Sequence, residues 1–319
     1  MDLPLRRAPR TAGLAIALLL AALLAGCAAP QTRSLQERGR SPLGYQLLHV
    51  PFHPQEDHAC GPAALATVLG ASGADASPDG LAREVYLPGR EGSLAPELLA
   101  AARRHGRFAV EIPPTLDALL AEIDAGHPVL VLLNLGLNVF PVWHYAVVTG
   151  YDLPRSELHL HSGRQADAVF ALSTFERTWM RGGGFAMVVA PAGELPATAS
   201  FDRMLEAAAA LERLDPRAAL PAWQALAARE PSRFEPRMGA GNSSAALGDL
   251  AGARAAFEAA TRLAPGNGDA WNNLASVLHG LHEDALAAGA IARALEIGGA
   301  NRATYEKTAG EIHAGRQDP

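Results

Sequence analysis

The chain has 319 residues, of which 49% are hydrophobic and 19% are charged, and its formal net charge is −6. This length accommodates two domains with hydrophobic cores of their own, and the composition is that of a globular protein. The acidic balance argues against nucleic acid as a partner. Local motifs along the chain must therefore indicate the function.

Residues 1–26 have the pattern of an export signal. A basic start precedes the apolar run AGLAIALLLAALLAG, which is shorter than a comfortable membrane span. The run ends in LAGC, which resembles the lipobox of bacterial lipoproteins and implies that Cys27 is lipid-modified. The alternative is an ordinary signal peptide, or an anchor helix with a chance cysteine.

The resemblance to lipoproteins also implies a location. Ala28 follows the cysteine, as in lipoproteins sorted to the outer membrane. Several acyl chains would hold the protein on that membrane, or on another membrane of the cell envelope, with its domains facing the periplasm. Residues 27–44 are predicted to be a linker to the first domain.

The second cysteine, Cys60, has no partner in the chain if Cys27 carries lipid. Exported cysteines are usually paired, so an odd thiol is a candidate reactive group, although a buried apolar cysteine is the alternative. The sequence CGPAALATVLGASG predicts a helix that begins at Cys60, with Pro62 in its first turn and glycines at its end. The positive end of the helix dipole stabilises a thiolate there, and Gly61 leaves the sulfur open to approach.

The following segments predict alternating helices and strands. Helices are expected at SPDGLAREVYLPG, LAPELLAAARRHG and TLDALLAEIDAG, with Ser77 and Thr115 as N-caps of the first and third. Strands are expected at RFAVEI, PVLVLLNL, HYAVVTGYD, ELHLHSGRQAD and FAMVVA, with a helical turn at STFERTW. Phe140 and Trp143, just before the third strand, are predicted as walls of a substrate groove or, alternatively, as loop anchors.

Two further side chains can complete a site around the thiol. Gln55 lies upstream of Cys60 across a polar turn, from where its amide can donate to an oxyanion. A thiol nucleophile needs a base, and His144 opens a strand that can face a helix N-terminus. His58 is too close to Cys60 along the chain to lie across from it. Taken alone, a solvated loop glutamine and an ordinary strand-end histidine are the commoner interpretations.

Together, VPFHPQEDHACGPAALATVLGASG, GHPVLVLLNLG and HYAVVTGYD resemble the C39 family of cysteine peptidases. These are papain-like enzymes, best known as the domain of bacteriocin exporters that cleaves leader peptides after a double glycine. The resemblance covers residues 45–191 and implies an α+β papain-like fold. It implies Cys60 as nucleophile, His144 as general base and Gln55 as oxyanion donor. Another papain-like class, the NlpC/P60 cell-wall hydrolases, fits the glutamine before Cys-Gly-Pro less well.

The sequence departs from this family at the group that orients the imidazole. The family has an Asp, commonly followed by Pro, at the end of the next strand, where this chain has Ser162 and Gly163. Asp152 would lie roughly 26 Å from His144 along a strand. Ser162 can accept a hydrogen bond from the ring, and Gln165 and Asp167 come within reach if the hairpin continues. A Cys–His dyad oriented by a backbone carbonyl is also open.

Residues 192–199 are predicted to be a linker, and residues 200–319 an alanine-rich helical domain. Three kinds of position recur at 34-residue intervals: Ala219, Ala253 and Ala287; Trp223, Phe257 and Ile291; Pro231, Pro265 and Gly299. This period resembles the tetratricopeptide repeat and implies an all-α solenoid, with a generic helical bundle as the alternative. Such stacks usually bind peptides or proteins, although the fold alone does not establish a partner.

The sequence lacks the motifs typical of ATP-binding and metal-dependent proteins. No phosphate-binding G-x-x-x-x-G-K-[ST] loop, H-E-x-x-H motif or Cys/His cluster occurs in the sequence, so we expect no ATP, metal or cofactor. The prediction is an exported, membrane-anchored cysteine peptidase that cleaves a peptide or protein, with a repeat domain available to a protein partner. The alternative is a catalytically weak or inactive C39-like binding protein whose repeats scaffold partners, for which the missing Asp is the main support.

Overall fold

The computed structural model describes residues 29–55 and 59–315, so the predictions on the export signal, Cys27 and His58 lie outside the described residues. Seven strands in the described part form one antiparallel sheet in the order β2-β7-β3-β4-β5-β6, with β1 paired to the end of β4. The strands are β1 (Gly44–Gln46), β2 (Phe108–Glu111), β3 (Val129–Asn134), β4 (Trp143–Asp152), β5 (Glu157–Ser162), β6 (Gln165–Ala171) and β7 (Ala186–Ala190).

Helices cover both faces of this sheet. They are α1 (Pro30–Arg38), α2 (Cys60–Ala71), α3 (Pro78–Val85), α4 (Ala95–Arg104), α5 (Leu116–Asp124) and α6 (Leu172–Arg181). One buried cluster joins α2, α3 and α4 to residues such as Tyr145 and Val147 of β4. The other joins α1, α5 and α6 to Ala146 and Val148, because successive strand residues point to opposite faces. The predicted α+β domain is therefore confirmed.

Local sequence explains where several of these helices begin and end. The side chains of Ser77 and Thr115 accept hydrogen bonds from the amides of Gly80 and Ala118, as predicted for N-caps. One prediction was too short: STFERTW lies within the ten-residue helix α6. Phe175 and Trp179, four residues apart on one face of α6, are fully buried, and this packing extends the helix beyond a single turn.

The segment at residues 27–44, predicted to be a linker, contains helix α1. Pro30 suits its first turn, and Leu35 is buried against the sheet domain. Glu176 of α6, itself 1% exposed, accepts hydrogen bonds from the backbone amides of Gln31 and Thr32 at 2.9 and 2.7 Å. A buried carboxylate therefore holds the N-terminus of α1, an arrangement that sequence patterns did not reveal.

The C-terminal part of the described chain consists of three helix pairs followed by a last helix. They are α7 (Phe201–Glu212), α8 (Pro216–Arg229), α9 (Glu235–Ala246), α10 (Leu250–Leu263), α11 (Gly268–Gly280), α12 (Asp284–Ile297) and α13 (Arg302–Gly315). The second helix of each pair begins at Pro216, Leu250 and Asp284, 34 residues apart. The recurring alanine and aromatic or branched positions are all buried, at 5% exposure or less. The predicted all-α solenoid is confirmed.

The first repeat packs directly on the sheet domain. Helix α7 contacts β2, the edge strand, and buried residues of α7 and α8 share one cluster with the sheet. Glu122 of α5 is fully buried and accepts hydrogen bonds from the Ala197 and Thr198 amides at 3.1 and 2.7 Å. The predicted linker at 192–199 is thus bonded to the sheet domain. None of the helices within residues 29–55 and 59–315 is long and apolar enough to cross a membrane.

Candidate active site

Cys60 is the first residue of α2 and is partly exposed in a cleft of about 1000 Å³. Gln55 and His144 line the same cleft, so the structure brings together the three residues that the sequence singled out. The N-cap residue of α2 is Ala59, which has no side-chain oxygen to cap the first amides. Those amides can therefore favour negative charge beside the sulfur.

Gly61 also has a packing role that the sequence did not indicate. A Cβ atom at this position would lie 2.6 Å from Oγ of Ser93, which also lines the cleft. Glycine is therefore required so that the loop carrying Ser93 can pack against the start of α2. The open approach to the sulfur that Gly61 was expected to provide stays a prediction.

Gln55 is held at both ends of its carboxamide. Its Nε2 donates to the carbonyl oxygen of Tyr145 at 3.2 Å, and its Oε1 accepts from the Gly163 amide at 3.1 Å. The Gln55 amide also donates to the Gly163 carbonyl at 2.9 Å. A carboxamide nitrogen carries two hydrogens, so one remains for a group in the cleft. Gln55 is 8% exposed, and its fixed position suits a donor that must not reorganise.

His144 lies at the start of β4, and Ser162 ends the neighbouring strand β5. The Nε2 atom of His144 is 2.9 Å from Oγ of Ser162. The strand register pairs Val147 with His161, which brings Ser162 beside His144 on the diagonal. Burial of the ring lowers the pKa of His144. The role of Ser162 in orienting the ring stays a prediction, but the contact that the role requires is present.

The two carboxylates considered for the orienting role, Asp167 and the more distant Asp152, are engaged elsewhere. Both carboxylate oxygens of Asp167 lie 3.3 Å from Nε2 of Gln46, and one is 3.5 Å from Nδ1 of His159. Asp152, at the far end of β4, accepts from the Arg155 amide. Neither carboxylate is therefore in position to compensate for the neutral Ser162.

Tyr145 is a contributor that the sequence motifs did not identify. Its hydroxyl donates to the Ser93 carbonyl at 3.1 Å, and its own carbonyl accepts from Gln55. Burial and the neighbouring Cys60 raise the pKa of Tyr145, so its phenol stays protonated. Its place directly after His144 in the motif HYAVVTGYD is the only sequence signal that could have indicated it.

An apolar hairpin forms one rim of the cleft. Trp143 and Pro141 line the cleft, as the sequence predicted for Trp143. Phe140, the other predicted groove wall, is 78% exposed at the tip of the hairpin. Among the residues that the structure describes, no group of three His, Cys, Asp or Glu side chains could hold a metal ion.

The arrangement has the parts that acyl transfer requires. A thiol at a helix N-terminus can attack a carbonyl carbon, an imidazole can accept and return its proton, and a fixed amide can donate to the oxyanion. One group in this set differs from the pattern described above: a neutral hydroxyl, and not a carboxylate, lies beside the imidazole. These parts lie together in one cleft of a size that suits a peptide segment.

Comparison with known proteins agrees with this architecture. Residues 47–186 match the model of the Peptidase_C39 like family, and residues 204–268 and 238–302 match the tetratricopeptide repeat. No curated protein matches the sequence. The C39-like domain followed by tetratricopeptide repeats is thus confirmed.

Solved structures resemble one part of the chain each. A C39-like peptidase from Bacillus anthracis is 20% identical, with 46% of this chain and 97% of that chain covered and a TM-score of 0.39. The peptidase domain of Streptococcus ComA, a bi-functional ABC transporter, is 25% identical, with 45% and 99% covered and a TM-score of 0.38. The tetratricopeptide-repeat protein YrrB is 24% identical, with 37% and 61% covered and a TM-score of 0.34.

Proposed function

We propose that this protein, a C39-like domain followed by tetratricopeptide repeats, is an exported and membrane-anchored cysteine peptidase. The observation that supports catalysis is the single cleft lined by Cys60, His144 and Gln55, with the His144 ring 2.9 Å from Ser162. The substrate is a peptide or protein whose chain can enter that cleft. The repeat domain offers a surface for a protein partner.

The reaction is acyl transfer in two steps. Cys60 gives its proton to His144 as its sulfur bonds to the substrate carbonyl carbon, and the oxyanion accepts from Gln55 Nε2 and the Cys60 amide. The C–N bond then breaks, and His144 returns the proton to the departing amine. In the second step His144 takes a proton from water, whose oxygen attacks the thioester. The acid product leaves and the thiol is restored.

The geometry favours His144 as a neutral base in the resting enzyme. If Nε2 carries the ring proton and donates to Ser162 Oγ, the other ring nitrogen, Nδ1, is free to accept the thiol proton. The lowered pKa of the buried ring keeps the imidazole neutral near neutral pH. A hydroxyl beside the ring stabilises the imidazolium less than a carboxylate does, and this slows the first step.

Replacing the hydroxyl with a carboxylate tests this account. We expect Ser162→Asp to raise the pKa of His144 by about one unit or more, because an opposite charge within hydrogen-bond distance favours the charged ring. The value of kcat/KM at pH 8 should rise, since the imidazolium formed during attack is stabilised. The ring is titrated by NMR, and activity is followed against pH.

The matched variant is Ser162→Ala. It removes the hydrogen bond without adding charge, so activity should fall only modestly and the pKa of His144 should not rise. A folded Ser162→Asp protein with unchanged pKa and unchanged rate would show that Ser162 does not orient the ring.

A peptide-library assay tests the proposed activity itself. Purified protein is incubated with the library, and Cys60→Ala protein serves as the control. We expect cleavage products that depend on Cys60 and that define the residues around the scissile bond. Identical products from both proteins, or none from either, would remove the peptidase assignment.

The membrane anchor has its own test. Cys27→Ser should abolish incorporation of a clickable fatty acid and release the protein from the membrane fraction, because the lipid-bearing sulfur is gone. Cys60→Ser is the matched control and should remain labelled and membrane-bound. Continued labelling of the Cys27→Ser protein would contradict the lipoprotein assignment.

The second candidate function is a binding protein with a weak or dead site. The neutral Ser162 beside His144 is the observation that favours it. Iodoacetamide at pH 6 distinguishes the two, because a thiol whose proton His144 accepts during attack reacts faster there than free cysteine does. A Cys60 that reacts no faster than free cysteine would favour the binding protein.

A further inference from the structure

We propose that the hairpin at residues 135–142 inserts its apolar tip into the membrane that carries the protein, so that the catalytic cleft opens at the bilayer surface. The proposal rests on the lipid anchor of the proposed function, which holds the domain at the membrane. The apolar side chains of the hairpin then account for the insertion. It identifies the substrate class as peptides that lie on, or emerge from, that membrane.

The hairpin is the main exposed apolar feature of the described chain. Fifteen large hydrophobic residues are exposed in the described part, and six of them lie within residues 135–143. They are Leu135, Leu137, Val139, Phe140, Val142 and Trp143, with exposures from 43% to 78%. The sequence NLGLNVFPVW contains no charged residue. Apolar patches of this kind mark contacts with another molecule or with lipid.

Hydrogen bonds hold the hairpin in the conformation that exposes its apolar side chains. The buried Asn134 accepts hydrogen bonds through Oδ1 from the amides of Gly136 and Val142, at 3.0 and 3.1 Å. Leu137 and Phe140 exchange two backbone hydrogen bonds of 3.1 Å. A Cβ atom on Gly136 would lie 2.3 Å from the Phe140 carbonyl oxygen, so this tight shape requires glycine. The fold therefore holds Val139 and Phe140 out at its tip.

The shape of the hairpin favours lipid over a peptide as its partner. Val139 and Phe140 are 75% and 78% exposed at the turn closed by the pairing of Leu137 with Phe140, and neither residue lines the cleft. Peptide sites are concave and supply hydrogen-bond partners for the backbone, whereas a bilayer accepts a convex apolar tip. Trp143, at the base, is a residue type enriched at membrane interfaces.

The N-terminus of α1, which follows the predicted anchor in the sequence, lies at the same end of the sheet domain as the hairpin. Gln31, at the start of α1, donates through Nε2 to Met180 Sδ at 3.5 Å. The next residue, Arg181, donates to the carbonyl of Asn134 at 3.2 Å, at the base of the hairpin. The N-terminus of α1 and the hairpin therefore both adjoin the end of α6. Met180 itself is 37% exposed between them.

The covalent chain leaves little freedom between anchor and domain. Pro30 is the third residue after Cys27, and three residues of extended chain span at most about 11 Å. Glu176 fixes the helix that follows. An anchored protein therefore presents this end of the domain to the bilayer.

A tryptophan at the hairpin tip reports insertion directly. The natural full-length protein and its Phe140→Trp variant are reconstituted into vesicles of phosphatidylcholine and phosphatidylglycerol with brominated acyl chains, which quench tryptophan on contact. We expect the emission gained in Phe140→Trp to shift to the blue and to be largely quenched. The matched control is Leu286→Trp, on the repeat domain at a position 55% exposed, and its added emission should be unaffected.

A charge at the tip provides the second variant. Val139→Asp in the Phe140→Trp background should abolish the quenching, because a carboxylate is costly to insert into hydrocarbon. Unquenched Phe140→Trp emission on attached protein would overturn the proposal. So would a spectral change on adding the peptide library without vesicles, which would make the hairpin a substrate contact.

Separate measurements test the lipid anchor and the insertion of the hairpin. Attachment to phosphatidylcholine vesicles at high salt, together with fatty-acid labelling, reports on the anchor alone. Quenching without labelling would refute the lipid anchor and keep the hairpin, whereas labelling without quenching would refute the hairpin and keep the anchor.

Discussion

Cys60→Ala and His144→Ala are each expected to lower kcat/KM by at least about 10⁴-fold, because nucleophile and base act as one unit. Without the sulfur no thioester forms, and without the imidazole no group in the cleft removes the thiol proton or protonates the departing amine. Gln55→Ala should cost less, about 10²–10³-fold in kcat, the usual effect of losing one oxyanion donor.

The measurement is cleavage of the peptide that the library identifies. His105→Ala is the matched control, since this histidine pairs with Glu84 on the surface and lies outside the cleft lining. All variants must keep the circular dichroism of the natural protein. Retained turnover in Cys60→Ala or His144→Ala would remove that residue from the mechanism.

Features that depend on local sequence were predictable in this chain. The N-caps at Ser77 and Thr115 require only a hydroxyl and the next few amides. The repeat period appears directly as the 34-residue spacing of Ala219, Ala253 and Ala287, all fully buried in the structure. The helix that begins at Cys60 follows from its proline and the apolar run after it.

Features that depend on distant contacts were not predictable. Sequence alone left Ser162, Gln165, Asp167 and a dyad open, because the choice depends on strand register. A register shift between Val148 and Gly150 changes which residues of β5 lie beside β4, and no sequence pattern indicates such a bulge. Helix α1 within a predicted linker depends in the same way on Glu176, more than 140 residues away.

Glu122 lies where the sheet domain meets the segment that leads into the repeats. Its replacement is expected to have a large effect on stability. Its carboxylate accepts hydrogen bonds from His127 Nδ1 at 2.8 Å, from the Thr198 hydroxyl at 2.6 Å, and from the Thr198 and Ala197 amides. Burial alone would raise the pKa of Glu122, but these hydrogen bonds outweigh it and lower the pKa. The carboxylate therefore stays ionised and joins α5 to the segment leading into the repeats.

Glu122→Ala should lower the free energy of unfolding by about 3–5 kcal/mol at neutral pH, because it leaves buried donors without an acceptor. Denaturant unfolding measures this, followed through the fluorescence of Trp179 in the sheet domain and Trp223 in the first repeat. Both are buried and belong to the cluster shared across the junction. Glu111→Ala, at an exposed glutamate of β2, is the matched control.

The pH dependence of stability distinguishes loss of the Glu122 charge from loss of packing alone. Since the pKa of Glu122 is lower in the folded than in the unfolded chain, its stabilisation is fully present above the ordinary value of 4.5. It is lost as the pH falls through 4.5 toward the folded pKa, because the unfolded chain then binds the proton more readily. The stability gap between the natural protein and Glu122→Ala should therefore narrow below pH 4.5. A gap that stays constant from pH 7 to pH 3 would mean that the carboxylate charge does not stabilise the junction.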